Sequence, residues 1–502
     1  MALESVGDLA LNLILSKLEP EDTAKSSCVS KKLRSSASEE TLWSRFCADE
    51  LGLSQPIDPL GNPTPSFKPE VSEDKIIFSL VDLNFLIIQV EKHFPVLISL
   101  TFFPSSLSIS QICYQIWRKE FCIYPWSLVK RVRRCWDRLR SWLAVNFPEA
   151  GATLRKGATE DDIKELENAL KVKLPLPTRV LYRFVDGQEF HGKDYITSVF
   201  GCPLGLIGGY IFYDQCVNVY MLPLRQVILE TREIRRELHF PGKSKYVAVA
   251  CSSTVDEKFF FLNCFNGQLY VGTQNLPHYG EMIPCVPDEL IRSVHDCNGD
   301  QQQDATLLWL EEHVRRLESG IIKLREYGNI KCISLFPEET PLCSTAITNG
   351  VKVRASAVFV PENANLKNDQ EKYLFAYLIR MSLLPEGCIV NGMSFSSCQL
   401  HWRHWIIRAN DTVTSDVNAE AVIGKFPLLK PGEEEFVYES CTPLTSSTGS
   451  VEGSFTFVPG RDSVANGAVT KSVEETSVPN AYSEKIHMLV IHCHECAVMG
   501  EE

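Results

Sequence analysis

Residues 8–18 place apolar side chains on nearly every face of one short helix, and this constrains the chain more than any other feature. Leu11, Ile14, Leu15 and Leu18 follow the i, i+3, i+4, i+7 spacing of a helical face. Leu9 and Leu13 add apolar surface on other faces. Glu19-Pro20-Glu21-Asp22 ends the helix and opens a second, with Pro20 near the entry position where a missing N–H costs nothing. Val29, Leu33, Leu42, Trp43 and Phe46 supply the later apolar positions. A unit of about 50 residues buries too little surface to leave so much of it facing water. The helix therefore needs a further surface, in a partner protein or elsewhere in the same chain.

The rest of the chain bounds the choice. At 502 residues it is long enough for roughly three domains of about 150 residues each. Its 44% hydrophobic and 23% charged residues exclude wholesale disorder, collagen and coiled-coil rods. A formal net charge of −13 disfavours nucleic acid and anionic membrane as partners. The amino terminus has no basic region and no small-residue cleavage site, so it does not read as a secretory signal. Eighteen cysteines in such a chain are expected to be buried thiols in a reducing compartment, cytoplasmic, nuclear or both.

Residues 1–53 read as one helical unit. Five prolines between 54 and 69 mark a linker or extended loop. The stretch 76–111 is apolar, but Asp82, Asn84, Glu91-Lys92-His93, Pro95 and Pro104 interrupt it. It holds no run of about 20 apolar residues, which a membrane span needs. It reads as an atypical hydrophobic insertion in a linker region 54–113, of the kind translated non-coding sequence would make. Residues 114–143 read as helix, with Trp117, Phe121, Tyr124, Trp126, Trp136 and Trp142 among Lys130, Arg131, Arg133, Arg134, Arg138 and Arg140. Basic residues interleaved with tryptophans fit RNA. In an acidic chain, a solvated helix face with core aromatics fits better.

Residues 114–295 then read as an α+β domain with a preceding helix. Thr159 and Asp162 sit at the cap and third positions of a helix whose apolar face is Ile163, Leu166 and Leu170. Leu174-Pro175, Tyr182, Phe184 and Asp186-Gly187 follow, and later stretches at 208–213, 246–250 and 258–262 are β-rich. Asn266-Gly267 between apolar runs signals a hairpin. Gly205 to Gly209 reads as a bend, because no helix start follows it to hold a phosphate. Residues 300–330 read as a connecting helix, an arm to a third domain. Residues 342–491 alternate in short strands and predict a β-sandwich with an atypical end. His492-Cys493-His494-Glu495-Cys496 is dense in metal ligands, but it lacks the second half of a structural zinc site. No phosphate loop, H-E-x-x-H or G-x-S-x-G segment occurs. His404-Trp405 shows neither a positioned nucleophile nor a carboxylate partner in the sequence and reads as a packed aromatic strand. Neither a catalytic residue nor a cofactor or metal site is expected.

Asp8-Leu9, Leu13-Ile14-Leu15, Leu18, Pro20-Glu21-Asp22, Val29-Ser30-Lys31-Lys32-Leu33 and Leu42-Trp43 resemble, in that order, an F-box. Val6-Gly7 stands where that family has Leu-Pro, and the Trp that it favours near Lys32-Leu33 is absent. The resemblance implies a small three-helix module binding the Skp-type adaptor of a cullin-based ubiquitin ligase. Leu9, Leu13, Ile14, Leu18, Pro20, Val29 and Leu33 would make the contact. The run from Glu160 to Gly187 resembles the SUKH superfamily, or cell-wall-assembly-regulator-like domain, a protein-binding scaffold. Arg403-His404-Trp405-Ile406-Ile407, Val422-Ile423-Gly424, Pro431-Gly432-Glu433 and Gly449 to Phe455 look like an ApaG domain, which implies an immunoglobulin- or fibronectin-like sandwich. Some bacterial relatives carry G-x-G-x-x-G there. Ala419 and Ala421 replace the first two glycines, so nucleotide binding is not carried over.

The whole is thus read as multi-domain: α, then α+β, then all-β. This layout most resembles the plant Skp-interacting F-box proteins. The implied function is non-catalytic: the substrate-recognition subunit of a Skp–cullin–F-box ubiquitin ligase. Its partners would be the adaptor, through it the cullin and RING subunits, and a target marked for proteasomal degradation. The alternatives are a protein-binding scaffold outside ubiquitin ligation and a ligand-binding regulator acting through the ApaG-like part.

Overall fold

The computed structural model describes residues 6–59, 61–64, 107–189, 204–212, 215–237, 244–252, 258–299, 301–327, 330–410, 412–460, 482–486 and 490–491. They fall into two units, Met1–Lys130 and Arg131–Glu502. Most of the expected insertion 76–111 and the His492–Cys496 cluster lie outside the described residues.

The first unit is helical. Its helices are α1 (Asp8–Leu15), α2 (Pro20–Ser26), α3 (Lys31–Ala37), α4 (Glu40–Leu51) and α5 (Ile109–Glu120). Residues 1–53 thus hold four helices rather than the expected three. Pro20 is the first residue of α2, and the Ser30 side chain caps α3 by accepting from Leu33 N. Trp43 is the centre of the core: its Nε1 donates to Ala37 O at 2.6 Å. Its ring meets Phe46 and Tyr114, each at a centroid distance of 5.4 Å. Tyr114 lies on α5, which begins under a Ser108 cap inside the range read as insertion. Glu40 accepts from Ser110, and Glu50 accepts from the Tyr114 hydroxyl at 2.6 Å. The aromatic helix expected to precede the α+β domain therefore splits, and its first half completes the amino-terminal core. Ile57 O accepts from Trp117 Nε1 at 2.8 Å, so the start of the proline-rich stretch is pinned to α5.

The helix α6 (Trp126–Asn146) runs across the boundary into the second unit. There α7 (Glu160–Leu170) carries the expected capping box, Thr159 with Asp162, and buries Ile163, Leu166 and Leu170. Next comes α8 (Leu176–Phe184), followed further along by α9 (Leu224–Glu237) and α10 (Ala305–Glu318). Eight strands form one sheet: β1 (Gly208–Phe212), β2 (Gln215–Met221), β3 (Tyr246–Ser252), β4 (Phe259–Asn263), β5 (Leu269–Gly272), β6 (Met282–Pro284), β7 (Lys323–Tyr327) and β8 (Ile330–Ser334). Their order is β6-β5-β4-β3-β2-β1-β8-β7, antiparallel except where β1 meets β8. Gly209 in β1 has no room for a side chain, since a Cβ would lie 1.7 Å from Val217 O. The turn at Asn266-Gly267 joins β4 to β5, with Gly267 at φ +78.

The arm expected at 300–330 is instead part of this body. Buried Asp304 caps α10 and accepts from the Thr178 hydroxyl at 2.6 Å. Leu307, Leu310, Val314 and Leu317 are buried, and the strands after α10 join the same sheet. His313 is buried too: its Nε2 lies 2.9 Å from Leu206 O and its ring stacks on Trp309. Burial pushes its pKa down to about 4. The folded value lies below the unfolded one, so the unfolded chain binds the extra proton between them. Stability therefore falls as pH drops from about 6.5 to about 4, by up to about 3 kcal/mol. Thermal unfolding across that pH range is expected to show this slope in the wild type and a flatter one in His313→Gln.

The carboxyl-terminal part is a two-sheet sandwich, as expected. One sheet holds β9 (Cys343–Thr348), β10 (Val351–Phe359), β11 (Tyr373–Leu383) and β17 (Phe436–Leu444), in the order β17-β11-β10-β9. The hairpin β12 (Cys388–Val390) and β13 (Met393–Phe395) separates it from the other sheet. The second sheet runs β15-β14-β18-β19, from β14 (Cys398–Ala409), β15 (Thr412–Glu420), β18 (Gly449–Pro459) and β19 (Tyr482–Ile486). Here β16 (Leu428–Leu429) pairs with β14, and β20 (Val490–Ile491) pairs with β18. Of the stretch 486–491 expected to pair, Ile486, Val490 and Ile491 lie among the described residues and pair with β18. Val353, Phe375, Met381, Leu400, Trp405 and Phe455 lie in the core between the sheets.

Candidate adaptor-binding surface

α1 is held by one narrow face. Leu11 and Leu15 are buried, and Thr23 Oγ1 donates to Leu15 O at 3.1 Å. Lys32 Nζ donates to Val6 O at 2.7 Å, and Asn12 Nδ2 donates to Glu39 at 2.6 Å. These polar ties fix both ends and one flank of a helix that has little core contact. The other faces stay open: Leu9 is 88% exposed, Leu13 63%, Ile14 43% and Leu18 39%. Val29, beyond α2, is 73% exposed. Five of the seven expected contact residues therefore lie on the surface as large apolar side chains.

Pro20 and Leu33 do not. Both are buried, Pro20 in the first turn of α2 and Leu33 in the first turn of α3. They are correctly sized for contact, but their place is the core that holds the ridge in position. Sequence reasoning also missed Asn12, Thr23 and Lys32, whose role depends on partners up to 27 residues away.

Nothing else described in the chain assembles reacting groups. Among the described residues no group of three or more His, Cys, Asp or Glu could hold a metal ion. Eleven of the fifteen described cysteines are buried and all fifteen are free thiols, as the composition predicts. Burial pushes the Cys135 and Cys264 thiols up to about 12, so they stay protonated. Much of the basic stripe on α6 is engaged by internal partners. Arg131 clamps Glu311 through Nε at 2.7 Å and Nη2 at 2.6 Å, Arg138 pairs with Glu318, and Arg133 pairs with Asp137. Trp117, Phe121, Tyr124 and Trp136 are buried.

In the sandwich, Trp405 is buried against Phe455 at a centroid distance of 5.2 Å. Gly453 makes this possible, since a Cβ there would lie 2.5 Å from the indole. His404 points the other way, and its Nε2 lies 2.7 Å from Asp416 on the neighbouring strand. The loop after β15 keeps left-handed backbone at Ala421 (φ +61), Ile423 (φ +45) and Gly424 (φ +74). Such conformations in an alanine and an isoleucine cost of order 1–3 kcal/mol each. A shallow cleft of about 380 Å³ beside it is lined by Leu383, Lys425, Phe426, Lys430, Glu433 and Phe436, among others.

Comparison with known proteins agrees with this geometry. Residues 10–49 match the F-box-like family, which spans α1 to α4. Residues 363–459 match the ApaG domain family, most of the sandwich. The Arabidopsis thaliana protein named F-box protein SKIP16 is 53% identical, with 94% of this chain and 98% of that protein covered. The chain belongs to the F-box protein family. Human F-box only protein 3 is 22% identical to this F-box protein over 351 residues, covering 68% of it and 64% of the human protein. The Protein ApaG of Nitrosomonas europaea is 37% identical over 108 residues, covering 22% of the F-box protein and 76% of its own length. Among the described residues of the F-box protein, no helix is long and apolar enough to cross a membrane.

Proposed function

We propose that this F-box protein is the target-recognition subunit of a Skp–cullin–F-box ubiquitin ligase. The observation that carries the reading is the set of exposed apolar side chains Leu9, Leu13 and Ile14 on a helix that buries only Leu11 and Leu15, with Leu18 just after it and Val29 beyond α2. Contiguous exposed apolar side chains on so small a unit mark an interaction site. The ridge docks on the adaptor, and through it on cullin and RING subunits. The α/β body and the sandwich hold the target. The chain breaks and makes no bond itself. It raises the effective concentration of target lysines at the charged ubiquitin-conjugating enzyme and orients them. The product is a ubiquitinated protein destined for the proteasome, in cytoplasm or nucleus.

We read residues 114–295 as the SUKH-like scaffold, allowing for the loss of α5 to the amino-terminal core. The capped acidic start of α7, the aromatic α8 and the turn at Gly187 (φ +64) support that reading. The test is reconstitution. Purified full-length chain, Skp-type adaptor and cullin are mixed and run by size-exclusion chromatography with light scattering. A ternary complex is expected. An adaptor complex without cullin would replace the ligase by an adaptor-bound scaffold, and no complex at all would overturn the docking role.

A further inference from the structure

β15 is the end strand of its sheet. It pairs antiparallel with β14 along one edge, and among the described residues no strand pairs with its other edge. An end strand offers unpaired N–H and C=O groups to any extended chain of fitting chemistry. Folded proteins usually guard such edges with lysine, proline or a bulge. β15 reads Thr-Val-Thr-Ser-Asp-Val-Asn-Ala-Glu over nine residues, with no basic residue and no proline; a bulge at Thr414, between the pairs Ile407–Ser415 and Arg408–Val413, interrupts its start and leaves Ser415–Glu420 in regular register. Its only charges are Asp416 and Glu420, both acidic.

The register places an aromatic group beside that edge. Trp402 lies opposite Glu420, His404 opposite Asn418 and Ile406 opposite Asp416. Directly opposed residues share a face of the sheet. Trp402 is 42% exposed on this outer face, whereas Trp405 fills the core. Asp416 is engaged by His404, and Arg408 by Glu452 at 2.8 Å. Among the described residues Glu420 has no basic partner. An exposed indole next to a free carboxylate fits one ligand chemistry well: a cationic side chain lying on the ring and paired with the acid.

We propose that β15 is a docking edge for an extended, lysine- or arginine-bearing segment of the target polypeptide. The segment extends the sheet through its backbone and sets a basic side chain against Trp402 and Glu420. A second copy of this chain does not fit. Pairing β15 with itself would bring acids of one copy toward acids of the other, and like charges across strands repel. The net charge of −13 also steers basic partners inward and repels nucleic acid. The proposal rests on the reading of the chain as a target receptor and names the chemistry of the target.

The test uses the full-length protein and two fluorescein-labelled peptides, one alternating valine and lysine, the other with glutamate in place of lysine. Binding is read by fluorescence anisotropy, and its place by hydrogen–deuterium exchange. The lysine peptide is expected to bind at least tenfold more tightly and to slow exchange across 412–420. Glu420→Lys and Trp402→Ala should each weaken it by about tenfold, the loss of one exposed anchor. Both side chains are exposed, so the variants keep the wild-type melting temperature. Equal binding of the two peptides, protection elsewhere, or an unaffected Glu420→Lys protein would overturn the proposal. Adaptor binding is measured on the same samples. Its loss with peptide binding intact overturns the receptor reading alone, and the converse overturns the docking edge alone.

Discussion

Replacing Leu13 and Ile14 together by aspartate is expected to weaken adaptor binding at least a hundredfold and to leave the melting temperature within about 1 °C. The two side chains are 63% and 43% exposed, so in the free protein the new carboxylates remain solvated. Surface changes of this kind stay within about 0.5 kcal/mol. In the complex the same carboxylates would be buried against apolar groups with nothing to pair them. An unpaired neutral polar group costs about 1–3 kcal/mol and a carboxylate more, so two carboxylates exceed the 2.7 kcal/mol or so that a hundredfold represents. Leu11→Ala gives the contrasting result. Leu11 is buried, and its truncation costs roughly 2–5 kcal/mol of stability. It lowers the melting temperature first and binding only as a consequence. Calorimetric titration paired with thermal unfolding separates the two. Wild-type affinity in the double aspartate variant would remove the ridge as the docking surface.

The features legible in the sequence are those set by near neighbours. The capping box at Thr159 and Asp162 needs only a three-residue spacing, and the hairpin at Asn266-Gly267 needs only two residues of the right type. The alternation of β10 and β11 survives because each has one face in the sandwich core. The eight-stranded sheet was harder to read, because β3 is buried on both faces and carries no alternation at all. Helix α10 reads from sequence as a connecting arm, and Glu311, Glu312, Arg315 and Arg316 are spaced to pair along it. Glu312 does pair with Arg315 and Arg316, but Glu311 is held by Arg131, 180 residues earlier. The same long-range pairing engages Arg131 and Arg138 of the basic stripe. In the candidate surface, helical periodicity found the apolar residues, yet could not say which side of each helix the core would take. The F-box resemblance, which supplies the contact set, carries no such information either, so Pro20 and Leu33 stand in that set although the core buries them.

Long-range pairing also sets where the second unit is most vulnerable. Glu338 follows β8, and its carboxylate is almost fully buried between Arg325 and Arg380. Arg380 lies on β11 and is 1% exposed, with Nη1 2.9 Å from Glu338 Oε2. Burial alone would push the Glu338 carboxyl up. The hydrogen bond from Arg325 and the charge of Arg380 outweigh it and hold the group below the ordinary carboxylate range. A carboxyl lowered in the folded state contributes stability above its unfolded pKa and loses it as pH falls through the folded one. The second unit is therefore expected to weaken with acid, starting below about pH 4.5. Glu338→Ala should reproduce that loss at neutral pH. It strands a buried guanidinium on the sandwich, a loss of about 3–5 kcal/mol, or roughly 6–10 °C in melting temperature. The double variant Glu338→Met with Arg380→Met should recover most of it, because the fully buried charges are removed together, while Arg325, which also loses its partner, is 28% exposed and reaches water. A cycle of the four proteins followed by calorimetry reads the coupling directly. If Glu338→Ala melts like the wild type, the carboxylate is not what neutralises Arg380, and the junction between the mixed sheet and the sandwich is held by its other contacts, among them Lys258 and Tyr210 on Glu362 and Asn275 on Asn365.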